Sequence, residues 1–158
     1  MTAIASDTYW PAGLPCALRE GNTTQHGTPF VRTQLASGRS RQRRKFSSVP
    51  SVSQFSWLFT EAQCAAFEAW FRDAISDGAS WFNMETRTPL GRIGVVCRFE
   101  GMYTGPDLVG RDRWKVSAPL EYWERPLMPP GWGLMPEYLL GADIFDIAMN
   151  DRWPKAQP

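Results

Sequence analysis

The sequence has few of the residues on which catalytic and metal sites are usually built. It contains a single histidine, His26, so a histidine-based triad has only one possible base, and no Gly-x-Ser-x-Gly element supplies a nucleophile. Its three cysteines, Cys16, Cys64 and Cys97, form no CxxC pair, which argues against a disulfide framework or a zinc site. Glycine motifs that bind nucleotide phosphates are also missing. The sequence therefore indicates a protein that is not an enzyme and that holds no metal or cofactor.

Long apolar runs and an excess of one charge are missing as well. No stretch approaches the roughly 18 apolar residues of a membrane span, and the N-terminus lacks the basic start and apolar run of a signal peptide. The 17 Lys and Arg residues are balanced by 16 Asp and Glu residues, so no overall field attracts the molecule to nucleic acid or to an anionic membrane. We expect a soluble protein, made in the cytoplasm, that recognises its partners through local charges and has no membrane partner.

Aromatic residues, by contrast, are abundant. They make up 13% of the 158 residues and include 8 tryptophans spread along the chain. A chain of this length forms one domain with a sizeable core. Because large aromatic side chains are enriched at protein interfaces as well as in cores, this content also suggests contacts with other subunits.

A strand and an amphipathic helix are predicted in the middle of the chain. Residues 52–59 alternate between large apolar and smaller polar side chains, which is typical of a half-buried strand. Thr60 and Gln63 then form a capping box, and apolar residues at spacings of three or four predict a helix over 61–76. Gly78 is suited to end this helix because it tolerates the left-handed conformation.

The remaining pattern is dominated by strands. We predict them at residues 30–35, 79–85, 92–103 and 111–123, and we expect the last two to pair as an antiparallel hairpin. One helix among about five strands predicts a mainly β domain over 30–125. Its architecture would be an antiparallel β-sandwich or partly open barrel with one flanking helix and extended termini.

Both ends of the chain are rich in proline or glycine. Residues 1–29 are predicted to be an N-terminal arm or a loose first hairpin. Residues 126–158 combine many prolines with many apolar residues, which predicts a C-terminal arm with a short helix near 142–150. This arm lies either on a neighbouring subunit or on its own domain. The aromatic residues expected at a subunit interface are Trp132, Tyr138, Phe145 and Trp153.

A basic segment lies between the first two predicted strands. In an extended conformation, residues 39, 41, 43 and 45 point to one side and form a cationic face. Three roles stay open for it: contact with a neighbouring subunit, neutralisation of passing DNA phosphates, or a solvated edge strand whose charges discourage unwanted pairing. The candidate residues are Arg39, Arg41, Arg43, Arg44 and Lys45.

Taken in order, five segments carry a resemblance to a known class of proteins. They are SGRSRQRRKFSSVP, FSWLFT, EAQCAAFEAWFRDAI, ASWFNM and LEYWERP. This ordered set resembles the small structural proteins of bacteriophage tails, especially distal tail and minor tail proteins, over roughly residues 28–126.

The resemblance implies a tail-tube-like fold, in which a β-sandwich is flanked by one helix, and assembly into a ring around the DNA channel, commonly a hexamer. It also implies a virion structural protein of the tail or baseplate that joins neighbouring tail proteins and is assembled in the host cytoplasm. Two alternatives remain. One is a neck or head-to-tail connector protein, and the other is a nucleic-acid-binding accessory protein that uses residues 39–45.

Overall fold

The computed structural model describes residues 6–142 of the chain. The described residues form two compact units, one over residues 6–126 and one over residues 127–142. The elements of the first unit, in chain order, are β1 (Thr23–His26), β2 (Phe30–Gln34), β3 (Ser40–Arg44), β4 (Ser51–Phe59), α1 (Glu61–Asp73), β5 (Phe82–Thr88), β6 (Gly91–Phe99), β7 (Thr104–Val109) and β8 (Arg113–Tyr122).

Most of these strands belong to one antiparallel sheet. Its order is β1-β4-β8-β6-β5, and β7 also pairs with β8, while β2 and β3 form a separate two-stranded antiparallel sheet. The predicted fold class is confirmed: the protein is mainly β, its sheets are antiparallel, and it has one main helix. This arrangement is consistent with a β-sandwich or partly open barrel flanked by a helix.

Strand β4 lies at the centre of the core. Phe55, Trp57 and Phe59 alternate along it and are completely buried, as the pattern predicts. The strand pairs along its whole length with β8, so that Trp57 lies opposite Val116. Burying side chains of this size stabilises the fold by about 1.5–3 kcal/mol each.

Helix α1 follows β4 directly and covers the core face of the sheet. Its capping box is confirmed, because the Thr60 side chain accepts from the backbone N–H of Gln63 and the Gln63 side chain accepts from the backbone N–H of Thr60. Phe67 and Phe71 are buried beneath it. The helix ends at Asp73, three residues earlier than predicted, because the chain then turns sharply through three residues with positive φ, at positions 76–78.

Part of the N-terminal segment packs into the same core. The ring of Trp10 stacks on Trp57 with their centroids 5.1 Å apart, and it also contacts Phe67 and Trp70. The backbone N–H of Trp10 donates to the carbonyl of Asn83, which extends the edge of β5 by a parallel bridge. Residues 6–14 therefore contribute to the core of their own unit.

The predicted hairpin between residues 92–103 and 111–123 is only partly correct. Strand β6 does pair antiparallel with β8, but only over Cys97–Phe99. Strand β7, which the sequence pattern did not distinguish from a connection, lies between them in the chain and forms the true hairpin with β8. The sequence pattern did not predict β7 because it contains Gly105 and Pro106, and glycine and proline are depleted in strands.

The second unit contains a 3₁₀ turn at Trp132–Leu134 and a short helix, α2, at Pro136–Leu140. Proline at the start of α2 suits the first turn of a helix, where no backbone donor is needed. Except for residue 142, the helix predicted near 142–150 lies outside the described residues.

Candidate interaction site on the β2–β3 hairpin

Strands β2 and β3 form a hairpin that lies outside the main sheet. Its strands pair from Phe30 opposite Arg44 to Gln34 opposite Ser40, and a turn through Gly38 joins them. All ten strand residues are exposed. An isolated two-stranded hairpin is only marginally stable in water, so a wholly exposed one gains most from a partner surface.

One side of the hairpin, here called the arginine face, presents a row of cations beside small apolar side chains. Because side chains alternate along a strand, the antiparallel register places Arg43 next to Val31 and Arg41 next to Thr33. At the turn, the backbone N–H of Leu35 donates to the carbonyl of Arg39 at 2.9 Å. The arginine face consists of Val31, Thr33, Leu35, Arg39, Arg41 and Arg43.

On the opposite side of the hairpin, the guanidinium groups donate hydrogen bonds to residues in or directly after the hairpin. Arg44 donates from Nε to the carbonyl of Phe46 at 2.9 Å and from Nη2 to the carbonyl of Ser47 at 2.5 Å. Arg32 donates to the hydroxyl of Ser40 at 2.9 Å. Within the described residues, the guanidinium groups of the arginine face have neither an ion pair nor a side-chain hydrogen bond, so they are available to bind other groups.

No carboxylate of the surrounding sequence offsets these charges. The chain has no Asp or Glu between Glu20 and Glu61, and the hairpin lies entirely within this interval. At its base, the ammonium group of Lys45 lies 5.2 Å from the centre of the Phe46 ring. The hairpin is therefore a concentrated positive region on a protein whose charges otherwise nearly cancel.

Apolar side chains accompany the positive charge. Phe30, Leu35 and Phe46 are each between 41% and 50% exposed, along or beside the hairpin. Arginine next to exposed aromatic and aliphatic side chains is the composition found at protein interfaces, whereas a purely solvated edge needs charge alone.

The predicted interface residues fall into three groups. The five basic ones, from Arg39 to Lys45, are brought together on or beside the hairpin. Trp132 and Tyr138 lie in the second unit and are 44% and 64% exposed. Phe145 and Trp153 lie outside the described residues. None of these observations tests whether the residues contact another subunit, so that role stays a prediction.

The single histidine is part of a hydrogen bond between strands. His26 Nδ1 lies 2.8 Å from the hydroxyl of Ser51, across the β1–β4 pair.

Burial raises the pKa of the Cys64 thiol and, more strongly, that of the Cys97 thiol, whereas Cys16 is exposed. In residues 6–142, no three His, Cys, Asp or Glu side chains are close enough to hold a metal ion.

A second group of arginines lines a cavity of about 530 Å³ beside the N-terminal segment. Arg87 and Arg92 lie directly opposite each other on β5 and β6, and Arg19 is in the same wall. The carboxylate of Glu85 also lines this cavity, so its charge is partly balanced. It is a weaker candidate than the hairpin.

Sequence reasoning missed a polar and aromatic cluster on the side of the sheet that faces away from α1. Arg98 lies 4.6 Å above the ring of Trp81 and forms an ion pair with Glu121 at 2.6 Å, while Trp81 contacts Trp123 edge to face. The alternation of β6 and β8 places Arg98 and Glu121 on the outer face, but their pairing depends on a register that the sequence does not state.

No family model matches the chain, and no curated protein or solved structure matches it. No helix within residues 6–142 is long and apolar enough to cross a membrane.

Proposed function

We propose that this chain is a structural subunit that assembles with copies of itself through the β2–β3 hairpin. The observation that supports this most directly is the arginine face. It carries three guanidinium groups that have no partner among the described residues, and apolar side chains lie beside them. The strands of this hairpin contribute no residue to the core. Arginine suits such an interface because its planar group binds carboxylates through two parallel hydrogen bonds.

The particular assembly that we propose is a ring in the tail or baseplate of a bacteriophage, where the chain joins neighbouring tail proteins. Two features support this proposal. The order of segments resembles that of phage tail proteins, and the fold is mainly β with one flanking helix, as the resemblance implies. The hairpin carries charge of one sign, so two hairpins would repel each other across a two-fold axis. A head-to-tail contact between two different surfaces, which forms a ring when its rotation closes, is therefore favoured.

The mass of the purified protein in solution tests self-association. We expect a species of several subunits, close to a hexamer, in 50 mM salt, and a shift towards smaller species in 1 M salt because salt screens the contacts of the arginine face. Ring-shaped particles should be visible by negative-stain electron microscopy. A wild-type protein that remains a monomer at all salt and protein concentrations contradicts the proposal.

A charge-reversal variant connects the assembly to the hairpin. Arg41→Glu/Arg43→Glu should abolish the large species, because both side chains lie on the arginine face and are exposed. The matched control is Arg111→Glu/Arg113→Glu, which changes the net charge equally at the exposed end of the β7–β8 hairpin. If both variants lower the mass equally, the effect is one of net charge and the hairpin is not the contact.

The second candidate function is nucleic-acid binding, which the absence of acidic residues between Glu20 and Glu61 favours. A stacking platform is less well supported, since Trp57 is completely buried and Trp81 is covered by Arg98 and Trp123. Titration of the chain with fluorescent single- and double-stranded DNA distinguishes the two. Tight binding that weakens steeply with salt and is lost in Arg41→Glu/Arg43→Glu, without any change in mass, favours the second function.

The place in a particle is tested by antibody labelling of virions that contain the chain. Label at the distal end of the tail supports the tail or baseplate position, and label where the head joins the tail supports a neck connector.

A further inference from the structure

We propose that the arginine face of one copy docks on the exposed face of helix α1 in the next copy. This inference rests on the self-association proposed above and identifies its second surface.

The exposed face of α1 is smooth and acidic. From Glu61 to Ala69 its exposed residues are the two glutamates and four alanines, Ala62, Ala65, Ala66 and Ala69. Small side chains allow the backbone of a β-hairpin to approach a helix closely. Glu61 and Glu68 lie seven residues apart, so they are on the same side of the helix, at the edge of this stretch.

The negative charge of this face is not neutralised locally. Arg72 forms a two-pronged ion pair with Asp73, at 2.7 and 3.0 Å, so these two charges cancel each other. Glu61, Glu68 and Asp77 have no ion pair among the described residues, and Glu68 accepts only a hydrogen bond from the hydroxyl of Tyr103. Three carboxylates on and just beyond the helix thus correspond to three guanidinium groups on the arginine face.

The titration of Tyr103 also reflects the negative charge near the end of α1. Burial raises the pKa of the Tyr103 hydroxyl, and the nearby carboxylates of Glu68 and Asp77 raise it further. The part of this shift that comes from Glu68 and Asp77 reflects negative charge at this end of the helix, and such charge attracts a cation.

The spacings of the two surfaces are compatible. Arginines two residues apart on a strand are separated by about 6.6–6.8 Å. Glu61 and Glu68 lie seven residues apart, about 10.5 Å along the helix axis. The flexible arginine side chains span the difference, so Arg41 and Arg43 are able to engage both carboxylates, while Val31 and Leu35 lie against the alanines.

The two surfaces of a single copy do not meet. None of the hairpin arginines forms an ion pair with a carboxylate of α1, and the hairpin residues are all exposed. A contact between two different surfaces leaves one hairpin and one helix face free at the two ends of the assembly, so it propagates, and it forms a ring when the rotation between copies closes.

A charge exchange between the two surfaces tests the inference. The hairpin variant is Arg41→Glu/Arg43→Glu, and the helix variant is Glu61→Arg/Glu68→Arg. Each should weaken association by about 100-fold or more, because coupling across close interfacial charge pairs is about 1.5 kcal/mol or larger for each pair. Sedimentation velocity over a range of protein concentrations measures this loss.

Restoration is the decisive observation. An equimolar mixture of the two variants should assemble again, because each hairpin then faces a helix of opposite charge in the other variant. A single chain that carries all four changes should also assemble. If the helix variant assembles like the wild type, or if neither the mixture nor the four-change chain assembles, the inference is overturned, while loss of assembly in the hairpin variant alone still supports the proposed function. A monomeric wild type overturns both.

A cross-linking experiment on the wild type provides a measurement that needs no folded variant. A zero-length carbodiimide joins lysine to carboxylate, and Lys45 follows directly after β3. Peptide mapping of the cross-linked oligomer should show Lys45 joined to Glu61 or Glu68 of another copy, and mixing of isotope-labelled and unlabelled chains identifies the link as intermolecular. Links from Lys45 only to other carboxylates overturn the inference. The neutral variant Glu61→Gln/Glu68→Gln serves if the helix variant does not fold, and it should weaken association more than about tenfold.

Discussion

The aromatic core and the β2–β3 hairpin are both rich in large side chains, yet they differ in almost every physical respect. In the core, Phe67 is completely buried, and the centroid of its ring lies within 6.5 Å of the centroids of seven other aromatic rings. In the hairpin, every strand residue is exposed and cations outnumber aromatic residues. The core therefore contains the buried contacts that stabilise the fold, whereas no strand residue of the hairpin belongs to it.

This difference separates the residues that we expect to determine stability from those that we expect to determine association. Changes in the core should alter the free energy of unfolding, and changes in the hairpin should alter association.

Truncation at the centre of the core should have the largest effect on stability. Phe67→Ala removes a ring that contacts residues of β4, α1 and β6, and it should lower the free energy of unfolding by about 3–5 kcal/mol. Urea unfolding followed by tryptophan fluorescence measures the loss. The matched control is Phe46→Ala beside the hairpin, which should change the free energy by less than about 0.5 kcal/mol. Equal losses at the two positions contradict the separation.

Truncation of the N-terminal contact should have the next largest effect. Trp10→Ala removes the stack on Trp57 and the contact with Trp70, so we expect a loss of about 2–4 kcal/mol. Tyr9→Ala is the control, because Tyr9 is 67% exposed. If Trp10→Ala leaves stability unchanged, residues 6–14 are not part of the core.

Loss of the helix cap should have a smaller effect. Thr60→Ala removes the acceptor for the backbone N–H of Gln63 and should cost about 1 kcal/mol in the unfolding free energy. Thr60→Ser retains a hydroxyl and should restore most of the loss. The same urea measurement compares the two variants, and an alanine variant as stable as the serine variant argues against the cap.

Alkaline pH should reduce stability gradually. Burial raises the pKa of the Tyr122 hydroxyl above its usual value of 10.0, so the folded chain retains a proton that the unfolded chain releases. This contribution is fully present below the unfolded pKa and is lost as the pH rises from there through the raised folded pKa. The unfolding free energy should fall as the pH rises above about 10, with a smaller slope in Tyr122→Phe. An identical slope in the variant shows that Tyr122 is not responsible.

Most of the fold could be predicted from short-range patterns. The alternation of β4, the capping box at Thr60 and the apolar stripe of α1 depend on neighbours within a few residues. Each predicts the type and approximate start of its element, although the helix ends three residues earlier than the stripe indicates. The docking of Trp10 could not be predicted in this way. It depends on a contact with Trp57, far along the chain, and nothing in the proline-rich sequence around Trp10 specifies it.

The candidate site was predicted in part. The positions of the basic residues on an exposed strand followed from the sequence, because seven residues with five cations have few ways to be buried. The distinction between Arg44, bound to its own hairpin, and Arg41 and Arg43, which have no partner among the described residues, required the register with β2 and the backbone around Phe46.

The central claim is that the hairpin serves assembly and not folding, and its removal tests this most directly. The carbonyl of Pro29 accepts from the backbone N–H of Lys45 at 2.8 Å, so a short Gly-Ser linker is able to replace residues 30–44 without disturbing β1 or β4. We measure the native mass and the unfolding free energy of the shortened chain beside the wild type. We predict that the shortened chain is a monomer, whereas the wild type forms a ring. Its unfolding free energy should equal that of the dissociated wild type. A shortened chain that still assembles, or that no longer folds, contradicts the account.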